Sequence, residues 1–253
     1  MLEPLAIFAA GFWAGMINVV VGSGTLVTFP TLVLFGYPPL VANVSNNIGL
    51  VGGGISGTWG YRRELTGKTG HLRRLLPASA LGGITGALLL LVLPASAFQA
   101  VVPVLIALGL LMVVTGPALQ RRAAHRHTHG PSRTRETALV IGTFLLGIYG
   151  GYFGAAQGVL IIGLMSVLTA ESLQSITGLK NLLTTVVNAL AAITFMVVAW
   201  NSVDWTVVAL IAAGATLGGL AGARFGRRLS PVLMRTLIVV IGLIAIARLL
   251  FFD

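Results

Sequence analysis

Residues 5–36 read LAIFAAGFWAGMINVVVGSGTLVTFPTLVLFG and contain no charged side chain. The run 5–21 approaches the ~20 apolar residues that span a bilayer as a helix. The turn Gly22-Ser23-Gly24 interrupts it, and the following run, 25–36, is too short for an ordinary span. We therefore expect a membrane helix followed by a half-helix or re-entrant piece. Because no basic residue precedes residue 5, we expect this helix to be retained and not cleaved as a secretory signal.

The composition excludes a soluble globular domain. Hydrophobic residues make up 56% of the 253 residues and charged residues only 9%, whereas soluble domains carry about 25% charged residues. A mean hydropathy of +0.96 is too high for a soluble core of this size. The 33 glycines fit membrane helices, in which small residues permit close packing.

Apolar segments follow one another along the whole chain. Their approximate bounds are 5–21, 25–36, 39–60, 75–93, 97–119, 137–153, 157–169, 172–199, 205–223 and 232–252. Segments 25–36 and 157–169 are too short to span, and each follows a turn of small residues. We interpret both as half-helices or re-entrant pieces.

The net charge of +10 does not indicate nucleic acid binding, because the basic residues lie in short loops between apolar segments. They cluster in 61–74, 120–136 and 224–228. Positive charge marks cytoplasmic loops, so we place these three inside. The turns at 93–94 and 201–204 lack basic residues and are expected outside.

The chain also contains an internal repeat with an offset of about 135 residues. Three pairs of stretches show it: Gly11–Gly15 with Gly147–Gly151, Leu81–Ala87 with Leu217–Ala223, and Asn46-Asn47 with Lys180-Asn181. We predict a first transmembrane repeat over 1–119, a basic cytoplasmic linker over 120–136, and a second transmembrane repeat over 137–253.

The loop charges predict that the two repeats are inverted. The basic loop 61–74 matches the turn 201–204, and the turn at Pro94 matches the basic stretch that ends at Pro231. Equivalent loops then lie on opposite sides, which requires an odd number of crossings per half. The predicted fold is an all-α polytopic transmembrane bundle of two inverted repeats, each of about five segments with short broken helices, an architecture common among secondary transporters.

Lys180 gives the clearest chemical signal. It lies about eight residues, or ~12 Å, inside segment 172–199. A charge at mid-membrane costs roughly 2.5–3.5 kcal/mol on insertion scales, and a bound anion would offset that cost. The alternative is a helix that begins late, so that Lys180 snorkels to the cytoplasmic surface.

Asn43, Ser45, Asn46 and Asn47 cluster in an otherwise apolar helix. Asparagine serves both as interhelical hydrogen-bond glue and as a substrate contact in membranes, and the sequence leaves both roles open. Asn46 is the favoured contact because it matches Lys180 in the repeat.

The two small-residue turns complete the predicted site. A helix that begins after such a turn presents free N–H groups and the positive end of its dipole to an anion, although close helix packing is the alternative role of these glycines. The candidate substrate-binding residues are Gly22, Ser23, Gly24, Thr25, Asn46, Asn47, Ala155, Ala156, Gln157, Gly158, Lys180 and Asn181. For Gly82, Gly83, Gly86, Gly218, Gly219 and Gly222 we expect packing alone.

Enzyme chemistry finds little support. All four histidines, including the alternating His125, His127 and His129 of the linker, lie in loops, so none is placed to activate Ser23. The acidic residues lie near segment ends or termini, which leaves no carboxylate pair for a metal. We expect no catalytic residue, no metal and no cofactor.

Several of these features resemble the TauE/SafE sulfite-exporter family over nearly the whole chain. They are the stretch Gly11–Gly24, the helix with Pro30, the Asn-rich stretch 43–47 running on to Tyr61-Arg62-Arg63, and the repeated Gly-Gly-x-x-Gly helices. The family is recognised by two glycine-rich turns, one per half, each followed by a short helix. The resemblance implies transport of sulfite, sulfonates or related organosulfur anions.

The sequence thus predicts a permease for a small oxyanion, working by alternating access in the inner or plasma membrane. The alternatives are a membrane-embedded enzyme and a membrane assembly partner without transport activity. The expected partners are the anionic substrate and the lipid bilayer, not nucleic acid, and homo-oligomerisation stays open.

Overall fold

The computed structural model describes residues 2–124, 133–226 and 230–251, within which the chain forms α-helices and no strand. The helices are α1 (Leu2–Val20), α2 (Thr25–Leu34), α3 (Pro39–Gly60), α4 (Thr69–Val92), α5 (Ala95–Ala124), α6 (Arg133–Tyr152), α7 (Gln157–Leu168), α8 (Leu173–Val198), α9 (Trp205–Phe225) and α10 (Pro231–Phe251). Short 3₁₀ turns at Arg62–Leu65 and Trp200–Ser202 precede α4 and α9.

Six of the described helices are long and apolar enough to cross a membrane: α1, α4, α5, α8, α9 and α10. Large apolar side chains such as Leu81, Val104 and Val197 are exposed on the outside of the bundle. Extended apolar surface of this kind suits contact with lipid and not with water. The chain is therefore an all-α polytopic membrane protein, as predicted.

The two short helices are also present. α2 has 10 residues and α7 has 12, which correspond to about 15 and 18 Å at 1.5 Å per residue. Neither reaches across a hydrocarbon core of about 30 Å. α2 ends at Leu34, two residues earlier than predicted, because Gly36 turns the chain with φ 89° and prolines follow at 38 and 39.

The helices contact one another in matched pairs. α1 packs against α9 and α6 against α4; α3 packs against α9 and α8 against α4; α2 packs against α10 and α7 against α5. If each helix before the linker is exchanged with the matching helix after it, one contact of each pair becomes the other contact of that pair. This packing supports the division into two repeats, which stays a prediction as to its boundaries and inversion.

Glycines allow the matched helices to approach closely. A Cβ on Gly222 would lie 2.9 Å from the backbone oxygen of Met16, and one on Gly83 would lie 3.1 Å from the Val187 backbone. A Cβ on Gly82, Gly86, Gly218 or Gly219 would also clash with backbone or side-chain atoms of a neighbouring helix. The packing role predicted for these six glycines is confirmed.

Helices extend into the predicted linker, whose bounds stay a prediction. α5 continues to Ala124 and α6 begins at Arg133, so helix covers both ends of the predicted linker 120–136. Helix-compatible residues such as Arg121, Arg122 and Glu136 allow this extension, since arginine and glutamate have high helix propensity. His125, His127 and His129 lie outside the described residues.

Candidate functional site

The two small-residue turns meet inside the bundle. The backbone N–H of Gly158, in the first turn of α7, donates to the carbonyl oxygen of Gly22 at 3.0 Å. A Cβ on either glycine would lie 2.5 Å from the Cα of the other, so neither position tolerates a side chain without movement. Gly22 and Gly154 adopt φ angles of 88° and 77°, a region that favours glycine. The chain needs these small residues to bring its two broken helices together.

The second turn uses alanine where the first uses glycine. Ala156, which directly precedes α7, is fully buried and has a φ of 58°, a left-handed conformation that costs an L-residue about 1–2 kcal/mol. The Tyr149 hydroxyl donates to the carbonyl oxygen of the neighbouring Ala155 at 2.5 Å and holds the turn against α6.

The start of α2 offers backbone donors. Within the described residues, no acceptor is present for the backbone N–H groups of Ser23, Gly24 and Thr25. Such groups form the positive end of the helix dipole. At the start of α7, Gln157 N–H donates to Gly154 and Gly158 N–H donates to Gly22. The N–H groups of Ala155, Ala156 and Val159 likewise have no acceptor within the described residues, so both turns retain free donors.

Lys180 is fully buried on α8 and points at the end of α1. Its Nζ donates to the carbonyl oxygens of Asn18 at 2.8 Å and Val19 at 2.9 Å. These carbonyls belong to the last turn of α1, where intrahelical donors run out and the dipole is negative. An ammonium has three N–H donors, so one remains for a further acceptor.

The alternative of a snorkelling lysine is thereby excluded, because α8 begins at Leu173 and Lys180 has no exposed surface. The side chain also lies beside the second turn, since a Cβ on Gly158 would be 2.8 Å from Lys180 Cδ. Among the described residues no Asp or Glu is fully buried. The charge of Lys180 is thus balanced by carbonyl dipoles and not by a carboxylate.

Four of the predicted residues carry a buried polar atom without a hydrogen-bond partner in the described part of the chain. These atoms are Ser23 Oγ, Asn46 Nδ2, Asn47 Oδ1 and Asn181 Nδ2. Leaving such an atom unpaired costs about 1–3 kcal/mol. A polar ligand that supplies the missing partners would recover that free energy.

The remaining predicted residues do not all face this set. Gln157 is buried and its Nε2 donates to the Leu146 carbonyl of α6 at 3.0 Å, so its amide binds a neighbouring helix. Thr25, Ala155 and Ala156 are buried at the two turns and contribute their backbone there. Asn46 also accepts a hydrogen bond from Thr28 Oγ1 of α2, which joins α3 to the first short helix.

Several buried polar residues were not predicted as part of the site. Thr184, Thr185 and Asn188 continue a polar stripe along α8 from Lys180 and Asn181, and the 3.6-residue period could have revealed it. The amide Nδ2 of Asn43 donates to the carbonyl of Tyr152 at the end of α6 at 2.9 Å. Lys180 and Asn43 thus each satisfy the last carbonyls of a helix from the opposite half.

No group of three or more His, Asp or Glu side chains that could hold a metal ion occurs among the described residues. The buried donors are amides, hydroxyls, backbone N–H groups and one ammonium. This set suits an anion with several acceptor oxygens.

A polytopic bundle with a polar site between broken helices defines the class of membrane transporters. The chain belongs to the family described as "Sulfite exporter TauE/SafE", which matches residues 7–249.

Relatives from three bacteria are similar over nearly their whole length. The probable membrane transporter protein YfcA of Escherichia coli K12 is 27% identical, covering 99% of this chain and 92% of YfcA. The probable membrane transporter protein ORF9 of a Sinorhizobium species is 29% identical, with 96% and 91% covered. A probable membrane transporter protein of Haemophilus influenzae is 26% identical, with 99% and 96% covered. No solved structure matches.

Proposed function

We propose that the protein is a secondary transporter of sulfite, a sulfonate or a related organosulfur oxyanion in the inner or plasma membrane. The observation that carries the proposal is the contact of the two small-residue turns beside Lys180, Ser23 and the free N–H groups of α2. Family membership adds the sulfur chemistry. Neither observation requires a cofactor.

The donors divide the task of replacing the water around the anion. The N–H groups of Ser23, Gly24 and Thr25 face the anion with the positive end of the α2 dipole. Lys180 adds its remaining N–H and most of the positive charge. Asn46 and Asn181 offer amide N–H groups, and Asn47 Oδ1 can accept the hydroxyl proton of hydrogen sulfite.

The matched helix contacts support the proposal of alternating access. Because α1 packs on α9 and α6 on α4, the first helix of each half packs against the fourth helix of the other half. Movement of one half against the other would open the turns to one side and close them to the opposite side. We therefore assign α2 and α7 as the elements that change partners during transport.

We assign no catalytic role to Ser23. A nucleophilic serine needs a base within hydrogen-bond reach, and Ser23 Oγ has no partner among the described residues. His71, the histidine that the structure describes, lies in the first turn of α4, 3.8 Å from Glu171 and not beside Ser23.

The experiment is uptake of sulfite, an amino-sulfonate and chloride into liposomes that contain the purified protein. We expect saturable uptake of a sulfur oxyanion and much weaker uptake of chloride. Asn181→Leu should raise the half-saturating concentration about tenfold or more, since a hydrogen bond to a charged group is worth about 1.5–3 kcal/mol.

Ser23→Ala and Ser79→Ala form a matched pair, because both serines are buried and both hydroxyls lack a partner in the described residues. Ser79 lies on α4, at its packing with α6. We expect Ser23→Ala to weaken uptake a few-fold and Ser79→Ala to leave it unchanged. Sulfur-anion uptake no greater than in protein-free liposomes would overturn the proposal, and complete loss in a folded Ser23→Ala would support the nucleophile of an enzyme instead.

A further inference from the structure

Aromatic rings fill the space beside the end of α6. Phe153 lies edge-to-face against Phe29 with ring centroids 5.1 Å apart and against Phe98 at 6.1 Å. Tyr152 contacts Phe98 at 5.7 Å. Phe29, Phe98 and Phe153 are almost completely buried. The approach to the turns from this side, predicted to face outside the cell, is thereby closed.

The matching place at the end of α1 is open. Val20 and Val21 directly precede Gly22, as Tyr152 and Phe153 directly precede Gly154. A cavity of about 160 Å³ lies here, and its lining includes Val20, Val21, Val159, Thr177 and Arg235. Two valines in place of two aromatic residues leave this space unfilled.

The cavity borders the two turns. Val21 is next to Gly22, and Val159 is next to Gly158, the two glycines in backbone contact. Thr177 lies three residues before Lys180 on α8, which is about 4.5 Å along the helix axis. An ion in this cavity is therefore adjacent to the site.

Arg235 provides the charge of the cavity lining. It lies in the second turn of α10, after the basic stretch 224–228 that we predict to be cytoplasmic. Arg235 has a partner within the protein, but a guanidinium has five N–H donors and can bind an anion in addition. The matching position on α5 is the uncharged Gln99, so the charge belongs to one side only.

We propose that this cavity is a cytoplasmic vestibule in which Arg235 binds the anion before it reaches the two turns. The inference rests on the proposed function, and it adds a second anion site and a direction of capture. Anions would be concentrated at the cytoplasmic mouth, while the aromatic cluster keeps the other side closed.

The test uses the natural absence of cysteine from the chain. Thr177→Cys places a thiol in the vestibule. Two methanethiosulfonate reagents of similar size, one with an anionic sulfonate group and one with a cationic trimethylammonium group, then report the local electrostatic potential. A charged cleft raises the local concentration of counter-ions about 10-fold or more. We expect the anionic reagent to react at least that much faster than the cationic one, and Arg235→Gln to abolish the preference.

Gln174→Cys is the matched control, because Gln174 is exposed on the same helix and does not line the cavity. There the two reagents should react without an Arg235-dependent preference. Equal reactivity of both reagents at Thr177→Cys, or a preference that survives Arg235→Gln, would overturn the vestibule.

Uptake measurements separate this inference from the proposed function. If the wild-type protein transports a sulfur oxyanion, Arg235→Gln should raise the half-saturating concentration on the cytoplasmic side about tenfold, and Arg235→Lys should restore part of the loss. Transport by the wild type with unchanged kinetics in Arg235→Gln would reject the vestibule alone. A charge-dependent thiol reaction in a protein that moves no sulfur anion would reject the proposed substrate alone.

Discussion

Lys180 links the site to the end of α1. Its replacement by Met or by Arg distinguishes the contribution of its charge from that of its packing. Lys180→Met removes the donor of the Asn18 and Val19 carbonyls, so we expect a loss of stability of about 1–3 kcal/mol per unsatisfied carbonyl, together with loss of anion binding. Lys180→Arg keeps the charge and should keep part of both. Thermal unfolding and anion titration in detergent measure the two effects, and wild-type affinity in a folded Lys180→Met would remove Lys180 from the site.

Ala156 offers the opposite experiment, in which a substitution relieves strain. Its φ of 58° costs alanine about 1–2 kcal/mol, and glycine avoids that cost while losing more chain entropy on folding, about 0.4–1 kcal/mol. We expect Ala156→Gly to raise the melting temperature slightly. Ala155→Gly is the control, because residue 155 does not have a positive φ, and it should lower stability. A destabilised Ala156→Gly would show that the Ala156 methyl contributes packing greater than the strain.

Sequence reasoning found the polar residues of the site more readily than their partners. The burial of Lys180 follows from its place in an apolar segment, because a charge there must face the protein interior. Its acceptors, the Asn18 and Val19 carbonyls, come from more than 160 positions away in the chain, and no local pattern marks them. Gln157 illustrates the same limit, since sequence position places it at the turn while its amide binds α6.

Close helix packing through glycine can be tested with two glycines in similar helices. A Cβ on Gly218 of α9 would collide with the Phe12 backbone of α1, whereas a Cβ on Gly163 of α7 meets nothing within 4 Å. Gly218→Ala should therefore separate α1 from α9 and reduce stability by more than 1 kcal/mol, a typical overpacking cost being about 1–3 kcal/mol. Gly163→Ala should be neutral or stabilising through helix propensity. Equal unfolding temperatures of the two variants would contradict this account.

An ion pair joins the loop between α7 and α8 to the start of α4. Glu171 accepts from Lys68, and His71 lies 3.8 Å away. Burial raises the pKa of Glu171, but the hydrogen bond and charge of Lys68 and the charge of His71 outweigh burial, and its pKa lies below the ordinary 4.5. A lowered pKa means that the pair stabilises the fold above pH 4.5 and ceases to do so as the pH falls through the lowered value.

We therefore expect wild-type stability to decrease below pH 4.5 and the pH dependence to become shallower in Glu171→Gln. Glu136→Gln is the matched control, because Glu136 pairs with Arg74 at an exposed site, where ion pairs contribute about 0–1 kcal/mol. Melting temperatures between pH 3 and 7 report both variants. A Glu171→Gln curve parallel to the wild type would show that the pair adds nothing to stability.

At the level of elements, hydropathy located the described helices, and the short length of α2 and α7 followed from the turns before them. The ends of α5 and α6 were misplaced, because hydropathy detects the membrane and not the helix. Arg121, Arg122 and Arg133 stop an apolar segment but continue a helix, since arginine favours the helical conformation in water.

Two observations at the scale of the whole molecule agree with each other. Equivalent loops of the two halves differ in whether they are basic, and equivalent helices pack against exchanged partners. If the halves are inverted, α1 and α6 enter the membrane from opposite sides, and their partners α9 and α4 must do the same. Each helix then runs parallel to its matched partner, and the contacts of α1 with α9 agree, since Gly11 approaches Ile211 and Gly15 approaches Ala215. The loop charges alone predict this arrangement, and the packing of α1 on α9 and α6 on α4 supports it.

Single cysteines test the inversion directly, because the chain contains no other thiol. Thr66 and Asn201 are exposed and precede α4 and α9, the matching helices of the two halves. Basic residues surround Thr66 but not Asn201, and positive charge stays in the cytoplasm. An impermeant maleimide should therefore label Asn201→Cys in intact cells and Thr66→Cys only in inside-out vesicles. Labelling of both positions from one side would require an even number of crossings per half, which two parallel repeats satisfy and inverted repeats cannot.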